Sequence, residues 1–195
     1  GLLLVSMPEN PRDSMAWLTT NQKELLLAFN LVPFAGIAFL WFMGVVRDHL
    51  GSNEDQFFST VFFGSGLLFL AMLFIATAST GTIISLAATQ SDRLLTSGIY
   101  DLGWSFSRNL MYVYAIKMAG VFMISTSSLF FRTKAIPRWM ALLGYLLAAI
   151  MIFRLRQIDR VGWVFLLFPL WILSISIYIL IAHYRNKPEA TPTES

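Results

Sequence analysis

Long apolar runs separated by short polar clusters dominate the chain, and their spacing predicts helices that cross a membrane. From Glu24 to Val46 almost every residue is apolar. A run of that length spans roughly 30 Å of hydrocarbon at about 1.5 Å of rise per residue. Asn21 offers an N-cap and Glu24 the acid of a capping box, while Arg47, Asp48, His49 and Gly51 close the run. Pro33 lies inside it. Having no N–H, it frees a carbonyl one turn earlier, near Phe29 or Asn30, and predicts a kink. Ser52 and Asp55 repeat the capping pattern before a second run, Phe57–Ala78, which can continue through the small residues between Thr82 and Ala88. Glu54 and Asp55 suit the positive end of that helix dipole. Between Gln90 and Arg108, apolar residues such as Leu94, Ile99 and Leu102 alternate with polar ones and two glycines. That mixture reads as an interfacial connector.

Asn109–Phe131 is a third full run, followed by the basic loop Arg132–Arg138. Trp139–Phe153 is apolar but short. It reaches span length, over 136–155, only if Ile136 is included and Arg154 and Arg156 snorkel. A second basic loop, Arg154–Arg160, leads into Val161–Tyr184, with Pro169 inside, and a polar tail over 185–195. Ahead of the first run, Asp13–Thr19 reads as a short amphipathic turn with Trp17 at the interface. Gly1–Met7 is apolar and stops at Pro8. It is either the end of an earlier membrane helix or the remainder of a signal sequence. The lack of a basic n-region and of a small-x-small cleavage site favours the first. The pattern therefore predicts an all-α, polytopic transmembrane bundle forming one membrane domain. It has five full spans (24–46, 57–78, 109–131, 136–155, 161–184) after the end of a truncated one (1–7).

Composition strengthens this. Hydrophobic residues make up 56% of the chain and mean hydropathy is +0.65. Charged residues are 13%, about half of the roughly 25% usual in soluble domains. Lipid covers apolar side chains that a soluble domain of this size could not hide. The 17 Phe and 6 Trp suit lipid-facing helices and interfacial anchors, and Trp104, Trp139 and Trp163 stand at span entrances. A net charge of +3 does not indicate nucleic acid, because the cations sit at span ends, with no basic stripe or aromatic platform. If five spans alternate, seven Lys and Arg fall on one side and six on the other, so charge bias does not decide orientation. The dense Arg132–Arg138 loop favours a cytoplasmic tail.

Candidate chemistry is sparse. The absence of cysteine excludes disulfides, thiolate nucleophiles and cysteine-held metal sites. Metal ligation also lacks paired histidines at helical spacing. No acid lies in the core of any predicted span, and no Gly-x-Ser-x-Gly or phosphate-binding loop occurs. Lys117 is the exception, a cation near the middle of Asn109–Phe131. A charge at that depth costs about 2.5–3.5 kcal/mol and normally has a partner. Tyr114, one turn earlier, can hydrogen-bond it, and Gly120 permits a close helix approach. The bland alternative is a lysine that snorkels or caps a carbonyl freed by proline. His49 and His183 are the weak candidates for cofactor binding, as axial ligands of haem iron or chlorophyll magnesium. Their charged flanks read instead as interfacial. For helix packing the candidates are Gly64 and Gly66 and the small-x3-small pairs Ala115/Ala119 and Gly144/Ala148.

Three stretches carry a resemblance: Phe39-Leu-Trp-Phe-Met-Gly-Val-Val-Arg-Asp48 running on to Glu54-Asp-Gln-Phe-Phe58; Arg132-Thr-Lys-Ala-Ile-Pro-Arg-Trp139; and Phe168-Pro-Leu-Trp171 with Ser174-x-Ser-Ile-Tyr178. Together the chain resembles a group of uncharacterised bacterial multispanning membrane proteins. The resemblance implies a further helix before the first full span and a bacterial inner membrane; it implies no activity. The expectation is a non-catalytic accessory or scaffold subunit of a larger membrane complex. It would bind membrane lipid and other membrane subunits, with no cofactor. A small-molecule or ion transporter or channel is one alternative, and a lipid-, quinone- or pigment-binding protein another.

Overall fold

The computed structural model describes residues 20–50, 56–96, 98–133, 136–153 and 162–185. The readings for Gly1–Met7, Asp13–Thr19, the Arg154–Arg160 loop and the tail beyond Arg185 lie outside the described residues. All regular structure among the described residues is helical. The helices are α1 (Gln22–Leu50), α2 (Gln56–Thr96), α3 (Ile99–Asn109), α4 (Ile116–Thr133), α5 (Arg138–Ile152) and α6 (Gly162–Arg185). Leu110–Ala115, between α3 and α4, is a π-helical segment.

Three stretches are long and apolar enough to cross a membrane: Lys23–His49, Gln56–Ala87 and Ile99–Thr133. Two further apolar helices, Arg138–Ile152 and the Leu166–Ala182 portion of α6, are shorter. The fifteen residues of α5 rise only about 22 Å, less than the hydrocarbon thickness and less than the span predicted over 136–155.

The largest departure from the sequence pattern falls on the connector. Helix α2 does not stop at Ala78 but runs on to Thr96, because Thr82–Ala88 is apolar enough to pack. Its Ile83, Ile84 and Ala87 are buried with Tyr100 of α3 and Leu25 of α1. A tight reversal follows at Gly98, whose φ of +70° is open to glycine at no steric cost. Then α3, the π segment and α4 run on as one helical path from Ile99 to Thr133. A Cβ at Gly103 would stand 2.9 Å from the Ile83 side chain, so a glycine lets α3 lie close along α2.

The Ile99–Thr133 path is the centre of the bundle. Its apolar window is 67% buried, against 22% for that of α1. Helix α2 runs antiparallel to it: Gly66 meets Phe122, Phe62 stacks on Phe122, and the Arg132 guanidinium lies 4.9 Å from the Phe58 ring centre. Helix α1 is antiparallel to α2, since Gly36 meets Leu70 and Gly66 meets Met43. Lipid gives no hydrophobic drive for helices to associate, so these interlocking shapes hold the bundle. Phe122, fully buried, lies 4.8 Å from Phe62, 5.0 Å from Phe39 and 6.0 Å from Phe168, centre to centre. Phe69 closes the ring at 5.1 Å from Phe168 and 5.7 Å from Phe39. One cluster of phenylalanines thus joins α1, α2, α4 and α6.

Candidate functional site

Three places gather polar side chains within the apolar stretches. Ser65, Thr80, Ser174 and Ser176 lie apart from them, each donating to its own helix, and Ser107 Oγ is buried without a hydrogen-bond partner among the described residues. The first place is the contact of α4 with α5 and α6, built on the run Ser125-Thr-Ser-Ser128, all four buried. A hydroxyl inside lipid must find an acceptor, and the carbonyl one turn back is at hand. Ser125 donates to Val121 O at 3.0 Å and Thr126 to Phe122 O at 2.7 Å. Ser128 donates to Ile124 O at 2.8 Å and lies 2.7 Å from Tyr145 Oη. Its single proton is already committed to Ile124, so the tyrosine donates to it. Trp171 Nε1 donates to Met140 O at 3.2 Å. Ser127 Oγ is buried with no hydrogen-bond partner among the described residues. It rests against Gly144, where an added Cβ would collide with it and stand 2.6 Å from Trp171 Cζ2. A Cβ at Gly120 would meet Ile152 at 2.7 Å and Ala148 O at 3.3 Å. Ser125, Thr126 and Ser128 are held as donors to their own helix, and no His, Asp or Glu lies within α4, α5 or α6 up to Ala182 to activate any of the four hydroxyls.

The second place is the outward face just after the π segment. Lys117 is exposed, with Val113 and Tyr114 exposed one turn before it. Ala115, Ile116 and Ala119 face inward and are buried. No hydrogen bond joins Tyr114 to Lys117, and Lys117 has no hydrogen bond or ion pair among the described residues. The third is an open groove of about 580 Å³ between α1 and the second half of α2. Asn30, Pro33, Thr77, Thr82 and Ser85 line it among apolar side chains. It forms where Pro33 leaves the Phe29 carbonyl without its helical donor.

The other sequence candidates are scattered. His49 is exposed at the end of α1, and the side chain of His183 lies outside the described residues. Among the described residues no three His, Asp or Glu side chains gather as a metal site would require. Gly66 carries a close approach of Met43, whereas nothing lies within 4 Å of the position a Cβ would take on Gly64. The sequence reading missed Ser127, Ser128, Tyr145 and Trp171. The signal available was the run of four hydroxyl residues in an otherwise apolar span.

Compared with known proteins, the chain matches no family model, no curated protein and no solved structure. The helical, membrane-crossing character therefore rests on the chain's own physics.

Proposed function

We propose that this is a multi-pass protein of a bacterial inner membrane, crossing five times, that serves as a non-catalytic accessory or scaffold subunit of a larger membrane complex. The observation that carries this reading is the phenylalanine cluster. A transporter or channel needs a polar or wettable route through its middle. Here Phe39, Phe62, Phe69, Phe122 and Phe168 fill that middle, drawn from every long helix of the bundle. The hydroxyls of Ser125, Thr126 and Ser128 nearby are bound to their own backbone. Such an interior favours rigid packing, and rigid packing suits a subunit that positions others. The chain, extracted from its native membrane in mild detergent, is expected to co-migrate with a larger protein at fixed stoichiometry. A clean monomer without any partner would remove the reading.

The groove at Pro33 supports a second reading, binding of a lipid or quinone. Its unevenly polar lining would hold an acyl or isoprenoid chain along Leu26, Val32 and Phe74 with a carbonyl or hydroxyl near Asn30. Mass spectrometry of the purified protein checks this. An Asn30→Leu variant should lose a co-purifying amphiphile that the wild type retains.

A further inference from the structure

We propose that the outward face around Lys117 is a docking surface for a membrane-spanning helix of a different protein, one that carries a carboxylate at the same depth. This inference rests on the subunit reading and gives the partner a chemistry.

Depth comes first. Lys117 sits inside the continuous path Ile99–Thr133, nine residues after Arg108 and fifteen before Arg132. At the helical rise these are roughly 14 Å and 22 Å. An extended lysine side chain covers about 6 Å at ordinary bond lengths, too little to bring its ammonium level with either arginine. It also leans toward the helix N-terminus, so the Arg132 end is out of reach. Direction comes second. Lys117 is exposed, while its neighbours Ile116 and Ala115 are buried against the bundle. The cation therefore points away from this chain's own interior. Val113 and Tyr114, four and three residues before Lys117, share its outward face, while Ala115 and Ala119 stay inside.

The partner's chemistry follows from what compensates a cation in hydrocarbon most strongly, namely a carboxylate in direct contact, which forms a charge-assisted hydrogen bond. Among the described residues a second copy of this chain does not provide one. Glu24, Asp48, Asp92 and Asp101 all stand near helix ends. Phe39 lies beside Phe122, and α1 runs parallel to α4, so Lys117 is level with Phe34. From Phe34, Glu24 is roughly 15 Å away and Asp48 roughly 21 Å along the helix. A two-fold pair would set Lys117 against Lys117. The partner is thus a different chain with Asp or Glu inside a membrane helix. Tyr114, 56% exposed, offers it a flat ring and a hydroxyl beside the charge.

The full chain in phosphatidylcholine nanodiscs, carrying a fluorescent donor, tests this against an acceptor-labelled polyleucine helix of about 20 residues with one central Asp. The control helix has Leu there. Wild type should bind the Asp helix at least tenfold tighter than the Leu helix. Lys117→Met should erase the difference, and Lys117→Arg should keep it. Equal binding of the two helices, or an Asp preference that survives in K117M, would overturn the proposal. So would Lys117-dependent enrichment of phosphatidylglycerol with no preference between the helices, which assigns the lysine to lipid headgroups. In native membranes, K117M that keeps a wild-type partner removes this face and leaves the subunit reading intact. A wild type without any partner removes the subunit reading, and the peptide result then decides the surface alone.

Discussion

Glycines of similar sequence context have unlike roles once the helices pack. Gly144 sits where α5 meets both Ser127 and Trp171, and any side chain there must displace a buried ring. Gly144→Val is expected to destabilise the protein by about 1–3 kcal/mol, the usual cost of overpacking. Gly64 has open space at the position of a Cβ. Gly64→Ala should be neutral or stabilising by about 0.5–1 kcal/mol, because alanine gives up less backbone freedom in a helix. Thermal unfolding of both variants in one detergent checks the pair; similar losses of stability in both would contradict the packing described. The sequence shows which residues are small and four apart, and Ala115, Ala119, Gly144 and Ala148 are recognisable as packing positions on that basis. It does not show which face of α2 meets Met43. For that reason Gly64 and Gly66, two residues apart and pointing about 200° apart around the helix axis, are indistinguishable from sequence.

At the level of elements, the three long apolar runs are legible because length alone selects them. The Gln90–Arg108 connector is not, because its stability comes from partners distant in sequence. Ile83, Ile84, Tyr100 and Leu25 form a satellite cluster that neither helix could form alone, and the turn at Gly98 brings its halves together. Gly98 has open space around it, so Gly98→Ala tests backbone conformation without a packing change. A positive φ on a residue with a Cβ costs about 1–2 kcal/mol, and that loss should appear as a lower unfolding midpoint. The contact of α4 with α5 carries a different signature. Ser128 and Tyr145 are joined across the two helices at 2.7 Å, yet their unfolded alternatives within lipid also find partners. A double-mutant cycle of Ser128→Ala and Tyr145→Phe should give a coupling of about 0.6 kcal/mol. Coupling near zero would mean the two hydroxyls do not share a proton.

At the level of the whole molecule, the contacts fix which helix ends lie together. Phe58 at the start of α2 lies against Arg132 at the end of α4. Leu25 near the start of α1 is buried with Tyr100 at the start of α3. Glu24 and Asp101 therefore belong to one side of the membrane, and Asp48 and Arg138 to the other. The chain has no native cysteine, so single substitutions report topology without background. Glu24→Cys and Asp101→Cys should react with an impermeant thiol reagent from one side of sealed vesicles. Asp48→Cys and Arg138→Cys should react from the other. The number of crossings turns on α5, which ends with Ile152 against Gly120, well inside the Ile99–Thr133 path. Five crossings require the chain after Ile152 to reach the Glu24 side before α6 begins. Asp159→Cys is then expected to react from the Glu24 side. Reaction from the Asp48 side would make α5 and α6 a re-entrant hairpin and leave three spans among the described residues. Because either path returns the tail to the Asp48 side, labelling the tail cannot separate them, and position 159 is where the difference becomes measurable.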